Sequence, residues 1–282
     1  LAQAPGQFRT TVGSMTTGST TTGDRSVSIS PSSAAAAMRQ ARGSAAFWSA
    51  IGRSRGHEVI RRRGFVAVDG DERAGVRILI QEPGLDAGEV AELSELARRA
   101  VGPVNAEDPF NATDLSHLGM RNWQMPIMVR APGPVGEAAG EAALQVVRVR
   151  RSEDLQAAER VVIEGFELTA FEPYRGGELF PMALIGQPGV DVFVASYDGV
   201  AAGACVRAVH EDVIGHFWVG TSPAFRSRGV GRAVMLASLA DLAHLPATLT
   251  ASKLGRPLYE SLGYTAAAPS TWWASQRVSA SR

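Results

Sequence analysis

Apolar positions recur along most of the chain in two periods, three to four residues and two, and the change of period divides it into elements. From about Ala36 a helical spacing carries Met38, Phe47, Trp48 and Ile51. Two short apolar runs follow, Phe65–Val68 and Val76–Ile80, around an Asp69-Gly70 turn, which predicts a β-hairpin. Val90, Leu93, Leu96 and Ala97 then recur at helical spacing within 86–100, with Asp86 as the expected N-cap. Met125–Val129 reads as a strand. The stretch 131–143 is rich in Pro, Gly and Ala and marks the expected domain boundary. Beyond it the pattern predicts a strand at Val146–Val149, then a helix capped by Ser152 and running to Phe166. An irregular stretch, 169–189, carries Phe171, Tyr174, Phe180 and Met182. Strands are expected at Val192–Ala195, Ala202–Val209 and Val213–Val219, a helix over 231–243, a strand at Thr248–Thr250, a short helix at Pro257–Leu262 and a last strand near Trp272. Residues 1–35, dominated by Ser, Thr and Gly from Ser14 to Ser33, have little to bury and read as an unstructured tail.

Composition narrows the function. Twenty-eight basic residues balance 28 acidic ones, so a large nucleic-acid surface is not expected. No apolar run reaches the roughly 20 residues of a membrane span, and the N-terminus shows no apolar signal core, which together predict a cytoplasmic protein without a membrane partner. A single cysteine, Cys205, rules out an intramolecular disulfide and a cysteine cage for zinc, and its apolar surroundings suggest a buried hydrophobe. No metal is expected. The adjacent carboxylates of Glu107-Asp108-Pro109-Phe110 suggest a solvated loop rather than a metal or amine site.

The chemistry concentrates between the strand ending at Val219 and the helix opening at Gly231. In Arg226-Ser227-Arg228-Gly229-Val230-Gly231 the glycines let backbone N–H groups turn toward one point, and the helix N-terminus adds unpaired donors and its positive dipole end. Arg226, Arg228 and Arg232 add charge, and the whole suits a pyrophosphate. The counterpart after Ile80 reads Gln81-Glu82-Pro83-Gly84-Leu85-Asp86-Ala87-Gly88-Glu89, whose acids would repel one. The halves nonetheless echo each other. Phe65-Val66-Ala67 with its Asp-Gly turn parallels Phe193-Val194-Ala195 with Asp198-Gly199, and Leu115–Met120 parallels Tyr259–Tyr264, which suggests a duplicated unit.

The pattern Arg-x-x-Gly-x-Gly after a strand, the longer run Trp218–Gly231 and the later Pro257–Tyr264 resemble the GCN5-related N-acetyltransferase (GNAT) superfamily over about residues 144–278. The resemblance implies a mixed α/β fold with a mostly antiparallel central sheet flanked by helices. A smaller degenerate GNAT-like domain at 36–134 and a linker at 135–143 precede the acetyltransferase domain at 144–282. It implies acetyl-CoA as cofactor, a small-molecule or peptide amine as acceptor, and direct attack in a ternary complex, with a homodimer admissible. By the same resemblance Val219, Gly220 and Thr221 would splay from the next strand and pair with the pantetheine arm. Arg226, Ser227, Arg228, Gly229, Val230, Gly231 and Arg232 would hold the phosphates. Tyr259 would be the general acid, and Ser252 a cofactor contact. For the general base the candidates are His216, Glu211 or none, the amine then arriving neutral. The alternatives are a non-catalytic acyl-CoA-binding or sensing protein, and mycothiol-synthase-like chemistry. The acceptor pocket is expected in irregular segments such as 171–182.

Overall fold

The computed structural model describes residues 31–136 and 143–275, so residues 1–30 of the tail expected at 1–35 and most of the expected linker lie outside the described residues, while residues 31–35 are not tail but the first turn of a helix. Eleven strands form one sheet: β1 (Glu58–Arg61), β2 (Phe65–Asp69), β3 (Val76–Ile80), β4 (Val104–Asp108), β5 (Met120–Arg130), β6 (Leu144–Arg148), β7 (Val190–Tyr197), β8 (Val200–His210), β9 (Val213–Thr221), β10 (Ala247–Thr250) and β11 (Thr265–Ser275). Among the described residues five helices cover it: α1 (Pro31–Ser54), α2 (Ala87–Arg99), α3 (Ser152–Gly165), α4 (Val230–Leu239) and α5 (Arg256–Ser261). This is the mixed, mostly antiparallel sheet with flanking helices expected from the sequence.

The strand order is β1-β2-β3-β4-β11-β5-β10-β9-β8-β7-β6, so the last strand of each half crosses into the other. β11 lies between β4 and β5, and β5 between β11 and β10, all antiparallel. Both exchanged strands carry a proline at a central position of the sheet, where a missing N–H is ordinarily excluded. Pro126 and Pro269 solve this by facing each other in register. Each turns its carbonyl outward past the end of the neighbouring strand, Pro126 O accepting from Ala251 N at 3.0 Å and Pro269 O from Asn111 Nδ2 at 3.0 Å.

Strand alternation sorts the core into layers. Val66, Val68 and Leu79 face α1, and Val192, Val194 and Val206 face the same side, where α1 and α3 bury Phe47, Trp48, Ile51 and Val162. On the other side Phe65, Ile78 and Ile80 pack with Leu93 and Leu96 of α2, while Phe193, Cys205 and Ile214 pack with Val230, Val234 and Leu239 of α4. α1 carries residues of the first core and joins strands of both halves.

Local signals behave as chemistry requires, with exceptions. Asp86 caps α2 in a reciprocal box with Glu89. The N-cap of α3 is Arg151, one residue before the expected Ser152, whose hydroxyl instead donates to Glu153 at 3.1 Å. The irregular stretch after α3 holds two single 3₁₀ turns, and Glu159, wholly buried, organises it by accepting from Tyr174 Oη and the N–H groups of Gly177, Leu179 and Phe180. The stretch expected to be a solvated loop at Glu107-Asp108 is strand β4, and both carboxylates are buried. Asp108 accepts from the N–H groups of Phe110, Ala112 and Thr113, and Glu107 from Ser44 and Trp48, so neither faces water. Among the described residues no cluster of His, Cys, Asp or Glu could hold a metal ion, and no helix is long and apolar enough to cross a membrane.

Candidate functional site

The site begins where two parallel strands part. β9 and β10 pair only at Ile214–Ala247 and Gly215–Thr248, after which β9 runs on to Thr221 without β10 alongside. The divergence is helped on the other flank of β9. There the register with β8 slips between Val206–Phe217 and Ala204–Gly220, and Trp218 sits at φ +47°, a β-bulge. Val219, Gly220 and Thr221 therefore border an opening in the sheet, and all three line a cavity of about 580 Å³.

The chain leaves β9 through a 3₁₀ turn at Pro223–Phe225 and enters α4 by a tight loop. Ser227 at φ +61° and the N-cap Gly229 at φ +74° both adopt the left-handed conformation, which turns successive N–H groups inward as a nest. The space around Gly229 is open, so its conformation, not crowding, asks for glycine. No side chain caps α4, and its first-turn N–H groups face the cavity end lined by Arg226, Ser227, Gly229, Val230, Gly231 and Arg232. Arg228 stands over the rings of Tyr197 and Phe225, at 5.4 and 5.8 Å, and Arg232 donates to Ser261 of α5 at 3.2 Å. Uncapped donors, a positive helix end and the cavity-lining Arg226 and Arg232 fit a pyrophosphate, whereas Arg228, expected beside them, turns its guanidinium to the two rings and does not line the cavity.

Tyr259 of α5 lines the same cavity, and its hydroxyl has no hydrogen-bond partner among the described residues. Gly255 lies beneath the ring. A Cβ there would come within 2.9 Å of it, so glycine permits the phenol its position. Burial, with Cys205 nearby, raises the Tyr259 pKa above its ordinary value and keeps the proton in place at neutral pH. Ser252 lines the cavity too and accepts from Gly255 N at 3.2 Å, which shapes the entry to α5.

His216 is held differently. Ser238 Oγ gives its proton to Met235 O at 2.8 Å, so it accepts from His216 Nε2 at 2.9 Å, and His216 Nδ1 is then left to accept from Tyr264 Oη at 3.0 Å. Both ring nitrogens are engaged. Burial, with Arg207 and Arg130 adding to it, lowers the histidine's pKa to about 3. The imidazole thus has no free lone pair for an amine proton, which argues against the base role expected for it. Glu211 sits in the turn before β9, at the end away from the fork, exposed beside Arg42. Cys205 is fully buried, and burial pushes its thiol up to about 12, as expected of a packed hydrophobe.

The irregular segment at 171–182, where the acceptor pocket was expected, does not line this cavity. Phe171, Leu179 and Phe180 pack into the core beside α3. The wall opposite the fork comes instead from Gln40, Phe47 and Trp48 of α1, Arg77 of β3 and Glu107 of β4, all of the other half, together with Trp272 of β11, the strand that the second half exchanges into it. Sequence reasoning missed these residues. The available signal was a strongly polar sequence, Val104-Asn-Ala-Glu-Asp, that nonetheless follows a helix at crossover distance from β3.

That other half contains a second crossover, β3–α2–β4, whose strands are also parallel. There the strands stay paired over four residues, from Val76–Val104 to Leu79–Glu107. At the helix N-terminus Glu89, buried, accepts from Gly64 N at 2.7 Å and Asp86 N at 3.2 Å. A carboxylate occupies the place where the second half presents free donors.

The acetyltransferase (GNAT) domain model matches residues 188–266, which span β7 to α5 and so the whole fork, nest and tyrosine. Among solved structures the chain is similar to a GCN5-related N-acetyltransferase from Kribbella flavida, with 20% identity, a TM-score of 0.59 and coverage of 85% of this chain and 95% of that one. It is also similar to a putative GNAT-family acetyltransferase from Novosphingobium aromaticivorans, with 17% identity, a TM-score of 0.53 and coverage of 77% and 89%. A tandem GNAT protein from the clavulanic acid biosynthesis pathway gives 15% identity, a TM-score of 0.52 and coverage of 77% and 81%. These likenesses concern the fold. No protein of curated function matches the chain.

Proposed function

We propose that this chain, whose residues 188–266 form a GNAT acetyltransferase domain, transfers an acetyl group from acetyl-CoA to a primary amine by direct attack in a ternary complex. The observation that carries this reading is the coincidence, in one cavity, of the β9–β10 fork, the uncapped α4 N-terminus and the unpartnered phenol of Tyr259. Acetyl-CoA, when bound, supplies the activated thioester. The chain's own groups do the rest. The nest at Ser227–Gly229, to which Arg228 lends its backbone, the N–H groups of Val230 and Gly231, and the side chains of Arg226 and Arg232 bind the phosphates. Val219, Gly220 and Thr221 offer backbone groups along the fork to orient an extended amide-bearing arm. Tyr259 holds a proton at Oη where a departing thiolate would need it. With His216 closed off, the amine enters neutral or loses its proton to water in the cavity. We further read residues 36–134 as a degenerate unit of the same kind, on the strength of its parallel β3–α2–β4 crossover.

The second reading, a non-catalytic acyl-CoA-binding protein, is favoured by one observation, the sequestered His216. The deciding experiment is thiol release from acetyl-CoA across a panel of alkylamines, arylamines, polyamines and N-terminal peptides. Amine-dependent release establishes the enzyme. Tight CoA binding without release by any amine establishes the alternative.

A further inference from the structure

The cavity does not end at the fork. It extends along the sheet to β3 and β4, and its far wall is a layered stack. The Arg77 guanidinium lies 4.1 Å from the centre of the Trp48 ring and 5.8 Å from that of Trp272. Behind it Glu107 is buried, accepting from Ser44 Oγ at 2.8 Å and Trp48 Nε1 at 2.9 Å, with Arg77 at 3.4 Å. Charge in this lobe is therefore matched internally. No carboxylate is left for a ligand's ammonium, so a cation buried here would stay unpaired.

One polar atom is left over. Ser44 has a single hydrogen, committed to Glu107, so it can only accept from Gln40 Nε2, at 3.1 Å. That fixes the amide's orientation and turns its oxygen the other way. Gln40 is 3% exposed, its Oε1 is buried with no partner, and the residue is part of the cavity wall. A buried carbonyl oxygen without a donor is disfavoured, and a ligand N–H or O–H at the end of the lobe would complete it.

Resting on the acetyltransferase reading above, we infer that the lobe built on the N-terminal half, together with Trp272 of the exchanged β11, selects the acceptor. Its class is an amine with a flat, uncharged, aromatic body that lies against Trp48 and Trp272 and carries one hydrogen-bond donor for Gln40 Oε1. Polyamines and basic peptides are selected against because the lobe's one carboxylate, Glu107, is already paired with Arg77.

The test uses the full chain with CoA bound. CoA affinity, measured first by calorimetry, judges the cofactor reading by itself. Binding of phenethylamine, its 3-hydroxy, 4-hydroxy and 4-carboxamide derivatives, and spermidine is then measured by ligand-observed NMR, with no need of turnover. At least one donor-bearing derivative should bind about tenfold tighter than phenethylamine, with spermidine weakest. Gln40→Leu should bring that derivative to within about twofold of phenethylamine and leave CoA affinity unchanged. Should Gln40→Leu not fold, Trp272→Leu serves. It should weaken the aromatic amines about tenfold and leave spermidine as it was. The inference is overturned if no aromatic amine binds, if phenethylamine equals every donor-bearing derivative, if spermidine binds best, or if the donor's advantage survives in Gln40→Leu.

Discussion

The two crossovers of this sheet, β3–α2–β4 and β9–α4–β10, differ in two local features, and those features separate a structural unit from a site. In the first the parallel strands stay zipped over four pairs, while in the second they part after two. In the first the helix N-terminus is filled by Asp86 and Glu89, while in the second it opens on Gly229 with no side-chain cap. A helix end in need of an acceptor can be satisfied from within, which stabilises the fold, or left for a ligand, which creates a function. The lesson extends to the cavity as a whole. The closed half, spared from binding a phosphate, supplies the wall that faces the fork.

The strongest way to break the comparison is at the tyrosine, for which the closed half offers no partner in the cavity. Tyr259→Phe keeps the ring and removes the hydroxyl, so maximal turnover should fall about 10²-fold with CoA affinity nearly unchanged, as steady-state kinetics beside calorimetry would reveal. Weakened CoA binding with turnover preserved at saturation would make Tyr259 a contact residue instead. Because its pKa is raised, the wild-type profile should show no fall from this group as pH climbs through its ordinary value, near 10.

Gly229→Asp copies into the open half the carboxylate that closes the other one and strains a left-handed backbone. CoA affinity should drop about tenfold or more. His216 sharpens the comparison by separating a structural histidine from a catalytic one. It is neutral when folded, with its pKa lowered from 6.5 to about 3, so the unfolded chain binds the extra proton. Its contribution is fully present above pH 6.5 and is lost as pH falls toward about 3, with a slope of at most about 1.4 kcal/mol per pH unit. Urea titrations of His216→Gln across that window should show a shallower acid dependence than wild type. An identical slope would mean that the histidine is already charged in the fold. The smallest effect is expected at Glu89→Ala, which should cost about 1 kcal/mol of stability through the lost capping box. Because β3 and β4 remain zipped and Asp86 still caps the helix, removing this carboxylate should not create CoA binding there.

Much of this was legible in the sequence for definite reasons. β7, β8 and β9 carry buried apolar runs, and the Arg226–Gly231 turn sets two glycines and two arginines between a strand and a helix. β1 and β4 were not legible, because Glu58-Val-Ile-Arg61 and Val104-Asn-Ala-Glu-Asp108 are half polar. Asn105, Glu107 and Asp108 are buried, and the partners that allow this for Glu107, namely Ser44, Trp48 and Arg77, come from elsewhere in the chain. The exchange of β5 and β11 was invisible for a similar reason. A strand's pattern states which face is buried, not which neighbour it joins. Two prolines in central strands even argued against the arrangement, and only their mutual register explains them. The wall at Gln40, Arg77 and Glu107 depends on that exchange, so sequence could not place it.

Because each half completes its sheet with a strand of the other, the two cannot be compared as separate fragments, and the central claim must be tested on the whole chain. The direct measurement is the stoichiometry of CoA binding by calorimetry, on wild type, Gly229→Asp and Glu89→Ala. A single site in the second half predicts one CoA per chain, weakened about tenfold or more by Gly229→Asp and untouched by Glu89→Ala. Two CoA molecules per chain, or one whose affinity ignores Gly229→Asp, would contradict it.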